Sequence, residues 1–536
     1  MTVAKRKYTL FSGKALLFLI APIIIESIFS TSLGLFDSMM VSSIADYNEA
    51  GEVVKNASTA VSNVDQINSL IIQLFSAFAT GGAIITSQYL GANDKDSANK
   101  SAKQVLVLVF LVSVGLAGLC LALNWPLLKL FYGGAPENTF DYMQQYFYLT
   151  AASFPFIGLF NACAALLRAQ RKSVFTMASA GISCALNVGF NALFIYALNL
   201  RVIGAGLATL ICRGVPAVFM LCLLCKKSYT VHVKIFEKFR FEKAMVKRIL
   251  HLAIPSGIEA CLFQLGKLMT SVFINVSFYT QNGTNVQANA NSVASNINNI
   301  ASVVGSGVGT SALTVIGQAV GSGDVGQTKY YMKKMFIISY IANAVTVAII
   351  MGTAQWLVLL YDYPDSTRQI ALNCLYLCLA FQFVTYPLSF TTPAILKATS
   401  DVKYVMYAAI SSMILMRVGV CFVLTTDMLP FKMGAMGFWI AMCADWVLRS
   451  VLFMSRLLSG RWKKSSGLLK TEEVPAAAIT LDGAPSEAAV AAPAAPDSVA
   501  ELPATPVTPD APESNSAEPD PDAPETKEDD DVYTDV

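Results

Sequence analysis

The chain has 536 residues, of which 54% are hydrophobic and only 14% charged, a usage that excludes a water-soluble globular fold and points to one solvated by lipid. Its net charge of +2 conceals an asymmetry: residues up to Leu469 carry 36 Lys and Arg against 19 Asp and Glu, a balance of +17, whereas the stretch from Lys470 carries 2 against 17, a balance of −15. Eleven cysteines, set mostly in apolar runs (Cys120, Cys163, Cys184, Cys212, Cys261, Cys421, Cys443), exclude a secreted disulfide framework, and with His232 and His251 the only histidines, zinc centres and histidine triads have no basis.

The basic N-terminus (Lys5, Arg6, Lys7, Lys14) leads into an apolar run from 15 to 41. That run is too long for a signal peptide and has no small-residue cleavage pattern, so it is read as the first spanning helix. A span needs about 20 mostly apolar residues. Further runs of that kind lie at 66–90, 104–131, 142–167, 174–199 and 202–225, and then at 250–279, 287–320, 331–361, 369–396, 403–426 and 434–458. The eighth is so polar (Asn289, Asn291, Ser295, Asn296, Asn298, Asn299) that hydropathy alone reads it as a loop. It is kept as a span on the strength of an internal repeat.

Lys and Arg crowd cytoplasmic connections. With the N-terminus inside, the connections assigned to the cytoplasm hold Lys95, Lys100 and Lys103; Arg168, Arg171 and Lys172; Lys329, Lys333 and Lys334; and Lys397 and Lys403. A central connector, residues 226–248, holds eight more, whereas the outer connections hold only Lys55, Lys129, Arg201, Arg368 and Lys432. Twelve spans with both termini cytoplasmic satisfy this bias, and omitting the eighth would invert every later connection. From about Ser465 the chain turns to Pro, Ala, Glu and Asp, with too little apolar surface to offset ordering, and is read as a disordered cytoplasmic tail.

The repeat is found by self-comparison. Pro22-Ile-Ile-Ile-Glu26 is echoed by Pro255-Ser-Gly-Ile-Glu259, and Gln88-Tyr-Leu-Gly91-Ala-Asn-Asp94 by Gln318-Ala-Val-Gly321-Ser-Gly-Asp324. Trp125 matches Trp356, Leu167-Arg168-Ala169 matches Leu396-Lys397-Ala398, and Gly204-Ala205 matches Gly434-Ala435, in the same order. One six-helix unit has been duplicated. An even number of helices makes the two units parallel repeats about an axis along the membrane normal, with a cleft between them near the midplane, an arrangement suited to a transporter. The expected organisation is a bundle over 10–225, the basic connector over 226–248, a second bundle over 249–462 and the tail over 465–536.

These motifs, together with Val202-Ile-Gly-Ala-Gly-Leu-Ala-Thr209, Met433-Gly-Ala-Met-Gly-Phe-Trp439 and Asp445-Trp-Val-Leu-Arg449, resemble the multidrug and toxic compound extrusion family over essentially residues 10 to 462. The resemblance implies an all-α integral membrane fold, a V-shaped pair of six-helix bundles in a bacterial inner membrane. It also implies export of small cationic amphiphiles in exchange for protons or sodium ions. Asn187-Val-Gly-Phe-Asn191 resembles the family's Asn-x-x-x-Asp or Asn-x-x-x-Asn segment, with Asn191 where one branch has a second coupling aspartate, which leans towards the NorM-like branch. The alternative within the superfamily is a flippase of lipid-linked precursors. A receptor or scaffold acting through the acidic tail is the reading from another class. No nucleotide, redox or hydrolase motif supports an enzyme; nor is there a cofactor, a nucleic-acid partner or a sign of assembly beyond a monomer.

A charge inside a span costs about 2.5–3.5 kcal/mol on the insertion scale and needs a partner, a cavity or a function. Asp37, near the outer end of helix 1, matches the family's helix 1 aspartate and is the first candidate for binding the coupling ion. Glu26 and Glu259 hold equivalent repeat positions, each four residues after a proline that frees a backbone carbonyl; they either bind the ion, with sodium near Asp37 or Glu259, or bond a neighbouring helix. Asn187 and Asn191 share one helical face and can hold a cation or a carboxylate. Asn289 and Asn296, on the polar face of helix 8, are candidates to line the cavity. Lys267, two turns beyond Glu259, is expected to neutralise Glu259 or Asp37 rather than to meet substrate. Arg213 and Arg417 are expected to pair or snorkel, and Asp445 and Arg449 to bond each other at i and i+4.

Overall fold

A computed structural model describes residues 10–44, 46–47, 53–54, 56–133, 136–233, 240–277, 285–361, 363–426 and 433–467. Lys5, Arg6, Lys7, Lys55, Lys234, Lys238, Lys432 and nearly all of the acidic tail lie outside them. Helices long and apolar enough to cross a membrane are α1 (Gly13–Ser42), α2 (Asn56–Gly91), α3 (Lys95–Ala122), α5 (Ser173–Ala197), α6 (Arg201–Leu224), α7 (Lys243–Ser277), α8 (Val286–Gly321), α9 (Val325–Leu359), α10 (Asp365–Ala398), α11 (Val402–Thr425) and α12 (Gly434–Leu458). The twelfth, α4, is one span in two segments, Glu137–Ala152 and Phe154–Ala169, bent by 44° at Ser153. Pro155 at the start of the second segment explains the bend, because it has no N–H to continue the ladder. The polar eighth span is helical throughout, as the repeat required. A short helix, Asn124–Tyr132, extends α3, and a two-residue antiparallel ladder, β1 (Asp46–Tyr47) with β2 (Val53–Val54), sits between α1 and α2.

The repeated Gln-x-x-Gly-x-x-Asp motif has a physical reason at each position. Gln88 donates to the carbonyl of Ala398 (3.0 Å) and Gln318 to that of Ala169 (2.7 Å), so each glutamine grips the other half. Gly91 meets the backbone carbonyl of Gln318 and Gly321 that of Gln88, and a Cβ on either glycine would overlap that oxygen. Asn93 and Gly323 take the left-handed conformation (φ 60° and 74°) that ends each helix. Asp94 then caps α3 through the Ser97 N–H (3.0 Å), and Asp324 caps α9 through the N–H groups of Gly326 (2.7 Å) and Gln327 (3.1 Å). Hydrogen bonds from Ser97 hold the Asp94 carboxyl below its usual range.

The two halves interlock. α1 lies along α8, α7 along α2, and α2 along α8, related as the duplication requires. Leu16, Leu19, Ile20 and Ile23 of α1 pack in a core with Val308, Ala312 and Val315 of α8, while Met245, Ile249 and Leu252 of α7 pack with Ile84 and Ile85 of α2. The remaining cores belong to one half each, one built around Phe75, Tyr146 and Phe154 and the other around Leu375, Trp439 and Trp446. Pro22 leaves the Phe18 carbonyl without its intrahelical donor, and the Ser173 hydroxyl takes that place at 3.2 Å.

Candidate functional site

Asp37, deep in the first half, is 7% exposed. Asn191 donates to its Oδ1 at 2.7 Å and Asn187 approaches the same oxygen at 3.5 Å, while the Asn191 amide also donates to Asn187 Oδ1 at 3.2 Å. The i, i+4 spacing that set both amides on one face thus brings them to a carboxylate, as the sequence allowed. Immediately after Asn191 the chain makes a π-helical turn, Ala192–Ala197, a departure from the α ladder that often marks functional positions.

A second carboxylate completes this cluster. Asp65 of α2 accepts from the Tyr146 hydroxyl (3.3 Å) and from Asn68 (3.2 Å), and Tyr146 also faces Asp37. Asp37, Asp65 and Arg213 lie within electrostatic reach of one another. Arg213, expected to pair or snorkel, donates to the Ser153 hydroxyl at the α4 bend (2.9 Å). Among the described residues the buried Oδ1 of Asn191 has no hydrogen-bond partner. Two carboxylates and a free amide oxygen are hard oxygen ligands of the kind that hold an alkali cation or a proton, so the residues present fit such an ion.

Sequence reading missed Asp65 because the second span was started at residue 66. The helix begins ten residues earlier, at Asn56, in turns whose buried residues are Ala57, Ala60, Val61 and Val64 and whose polar residues are partly exposed. The repeat carried the signal: the polar first turns of α8, already accepted as helical, correspond to residues 57–69 of α2.

Glu26 and Glu259 prove equivalent in bonding as well as in position. Glu26 receives Arg168 (2.6 Å) and the Thr176 hydroxyl, and Glu259 pairs with Lys397 (2.7 Å). Arg168 and Lys397, assigned to connections by their charge, sit in the last turns of their helices with side chains 17% and 20% exposed. The pairing of Lys267 with Glu259 or Asp37 does not form, because Lys397 already occupies Glu259 and Asp37 lies in the other half. A cation site at Glu259 is disfavoured for the same reason, since the Lys397 ammonium already neutralises it.

Between the halves lies a cavity of about 430 Å³ lined from α2 of the first half and from α7, α8, α10 and α12 of the second, with Glu259, Lys267, Lys397 and Arg449 as its charged groups and Phe263, Tyr386 and Phe390 among its aromatic ones. Behind it Asp445, fully buried, accepts from Arg449 (3.0 Å) and Ser412 (2.6 Å), and Arg417 stands 3.8 Å away. The Asp445–Arg449 bond and the Arg417 pairing are those expected. Arg417 rides on a second π-helical turn, Met413–Val420. Asn289 and Asn296 do not line this cavity; both are half-buried, nearer the start of α8, nine residues or more before Gly305, where the lining begins on that helix. Among the described residues no three His, Cys, Asp or Glu come together as a metal site.

Comparison with known proteins agrees with this architecture. The chain is 24% identical over 476 residues to the uncharacterized transporter YisQ of Bacillus subtilis, covering 86% of this chain and 96% of that one. It is 24% identical over 453 residues to the probable multidrug resistance protein NorM of Photorhabdus laumondii, covering 82% and 94%. The fold matches a multidrug resistance MATE family transporter of the MOP superfamily in an outward-facing conformation, with TM-score 0.74 at 21% identity over 85% of this chain and 96% of the other. The MatE family model matches residues 22–193 and 255–423, one stretch in each half. The chain belongs to the MatE family of multidrug efflux transporters.

Proposed function

We propose that the chain is a secondary active exporter of small amphiphilic compounds, coupling their exit to inward movement of protons or sodium ions by alternating access. The observation that carries this reading is the cluster of the buried Asp37 and Asn191 with the partly buried Asp65. A carboxylate in that setting is stable only when it is charged and liganded or neutral and protonated, so cation occupancy and the packing of α1 against α2 and α5 are linked. The latch formed by Gln88, Gln318, Gly91 and Gly321 closes the halves at the end bearing the basic connections, as one of two alternating states requires. Cationic amphiphiles remain the first class to test, since relatives bear multidrug resistance names. The bacterial relatives and the Lys/Arg bias support an inner-membrane location with both termini cytoplasmic, and the partners of this reading are the substrate and the surrounding lipid.

The test is efflux of a fluorescent cation from vesicles under an imposed proton or sodium gradient. Asp37→Asn is expected to lower gradient-driven transport by about 5- to 150-fold, the span of a coupling free energy of about 1–3 kcal/mol, with correct membrane insertion. Unchanged transport in that variant overturns the coupling role.

A further inference from the structure

Charge in the cavity between the halves does not balance. Four cationic side chains, Lys267, Lys397, Arg417 and Arg449, face or back it against two carboxylates, Glu259 and Asp445. Lys397 is matched by Glu259 and Arg449 by Asp445, and Arg417, at 3.8 Å from the same Asp445, is beyond hydrogen-bonding distance. Arg417 is 2% exposed, and its Nε and one terminal nitrogen have no hydrogen-bond partner. Lys267 has no ion pair among the described residues; the charged groups that act on it are Arg417 and Arg449, both of its own sign. All three cations gather on one ring, Phe263, with Lys267, Arg417 and Arg449 at 5.2, 4.9 and 4.6 Å from its centroid.

Cation–π contacts offset only part of the repulsion among three such charges, and a charge-assisted acceptor reaching Lys267 and Arg449 from the cavity offsets more of it. Lys267 is open to the cavity, so an acceptor can reach it from the cleft. The volume suits a small amphiphile, and Tyr386, Phe390 and Leu313 supply an apolar wall.

We propose that this cavity binds an oxyanion, a carboxylate or a phosphate, between Lys267 and Arg449. It is the acidic end of an amphiphilic substrate whose apolar part lies on that wall. The proposal rests on the exporter reading and narrows its small amphiphilic compounds to those with an acidic end, anionic or zwitterionic. Glu259, already paired with Lys397, leaves no free carboxylate in the cavity to hold a lone cation. The same oxyanion chemistry is shared by a soluble metabolite and a lipid headgroup.

The test uses the full chain in phosphatidylcholine nanodiscs, with binding of dansylglycine compared with its uncharged amide. The carboxylate is expected to bind at least about tenfold more tightly, since a charge-assisted pair is about twice as strong as a neutral hydrogen bond. Lys267→Gln should abolish that preference and Lys267→Arg retain it, while amide binding, unchanged in both, reports an intact cavity. Equal binding of the two probes, no binding of the carboxylate, or a preference that survives Lys267→Gln overturns the proposal. Loss of dansylglycine binding on exchange to phosphatidylglycerol nanodiscs assigns the oxyanion to a lipid headgroup; retention assigns it to a soluble substrate. Failure of the exporter reading is seen separately, as dansylglycine that binds but is not moved by either gradient in vesicles.

Discussion

Gly91 of α2 lies directly against the backbone carbonyl of Gln318 on α8, leaving no space for a side chain between the two halves. Gly321 makes the same contact with Gln88. Gly91→Leu is therefore expected to hold the halves apart at the basic end, exposing Ser87 and Thr314 there to water. Cysteines placed at those positions should react with a membrane-impermeant thiol reagent faster in the Gly91→Leu background, and transport should fall. Equal labelling with and without the leucine overturns the latch.

Asp65→Asn should weaken ion coupling as Asp37→Asn does, and the double variant should be little worse than either alone if both carboxylates serve one cation. Additive losses, read from initial transport rates at several gradient strengths, mean two separate sites instead.

Glu259→Gln leaves the Lys397 ammonium without its partner in a mostly buried position. Removing one member of a buried pair costs about 3–5 kcal/mol at full burial, and the 14–20% side-chain exposure places the expected loss at or below the lower end. Melting of the purified protein in detergent measures it, and the charge exchange Glu259→Lys with Lys397→Glu should recover part of the loss.

Asp445→Asn should be the most damaging of these substitutions. The residue is fully buried beneath Arg449, Arg417 and Ser412, and its loss strands two guanidinium groups, at a cost of about 3–5 kcal/mol by the same reasoning. Variants of similar stability to the parent would mean that water reaches the arginines.

Asp324→Ala removes both side-chain bonds that start α9. A lost N-cap typically costs about 1 kcal/mol, and Asn in its place restores most of it. Thermal unfolding of Asp324→Ala and Asp324→Asn in detergent separates the cap from any effect of charge.

Architecture was legible in the sequence because hydropathy, charge bias and duplication each constrain it independently, and where hydropathy failed, at α8, the repeat supplied the answer. Asp37 with Asn187 and Asn191 was legible because a charge in a span and two amides on one helical face are local signals. Asp65 was not, because the run of Asn56, Ser58, Thr59, Ser62, Asn63, Asp65 and Gln66 makes the first turns of the span look like a loop. Partner choice was legible least. Whether Glu259 meets Lys267 two turns away or Lys397 about 140 residues later depends on which helices touch, and no local pattern records that. The repeat held the missing clue: Glu26 with Arg168 is the pair of which Glu259 with Lys397 is the copy.

The interlocking of α1 with the second half bears on how the protein is made. A ribosome that has released only the first six helices has inserted Leu16, Leu19, Ile20 and Ile23 with no α8 to cover them. The half-finished chain thus has α1 held against α5 but bare on the face that α8 later covers. The mutual exchange of first helices, α1 into the second core and α7 into the first, is also the arrangement that two separate copies of one six-helix unit would need in order to pair.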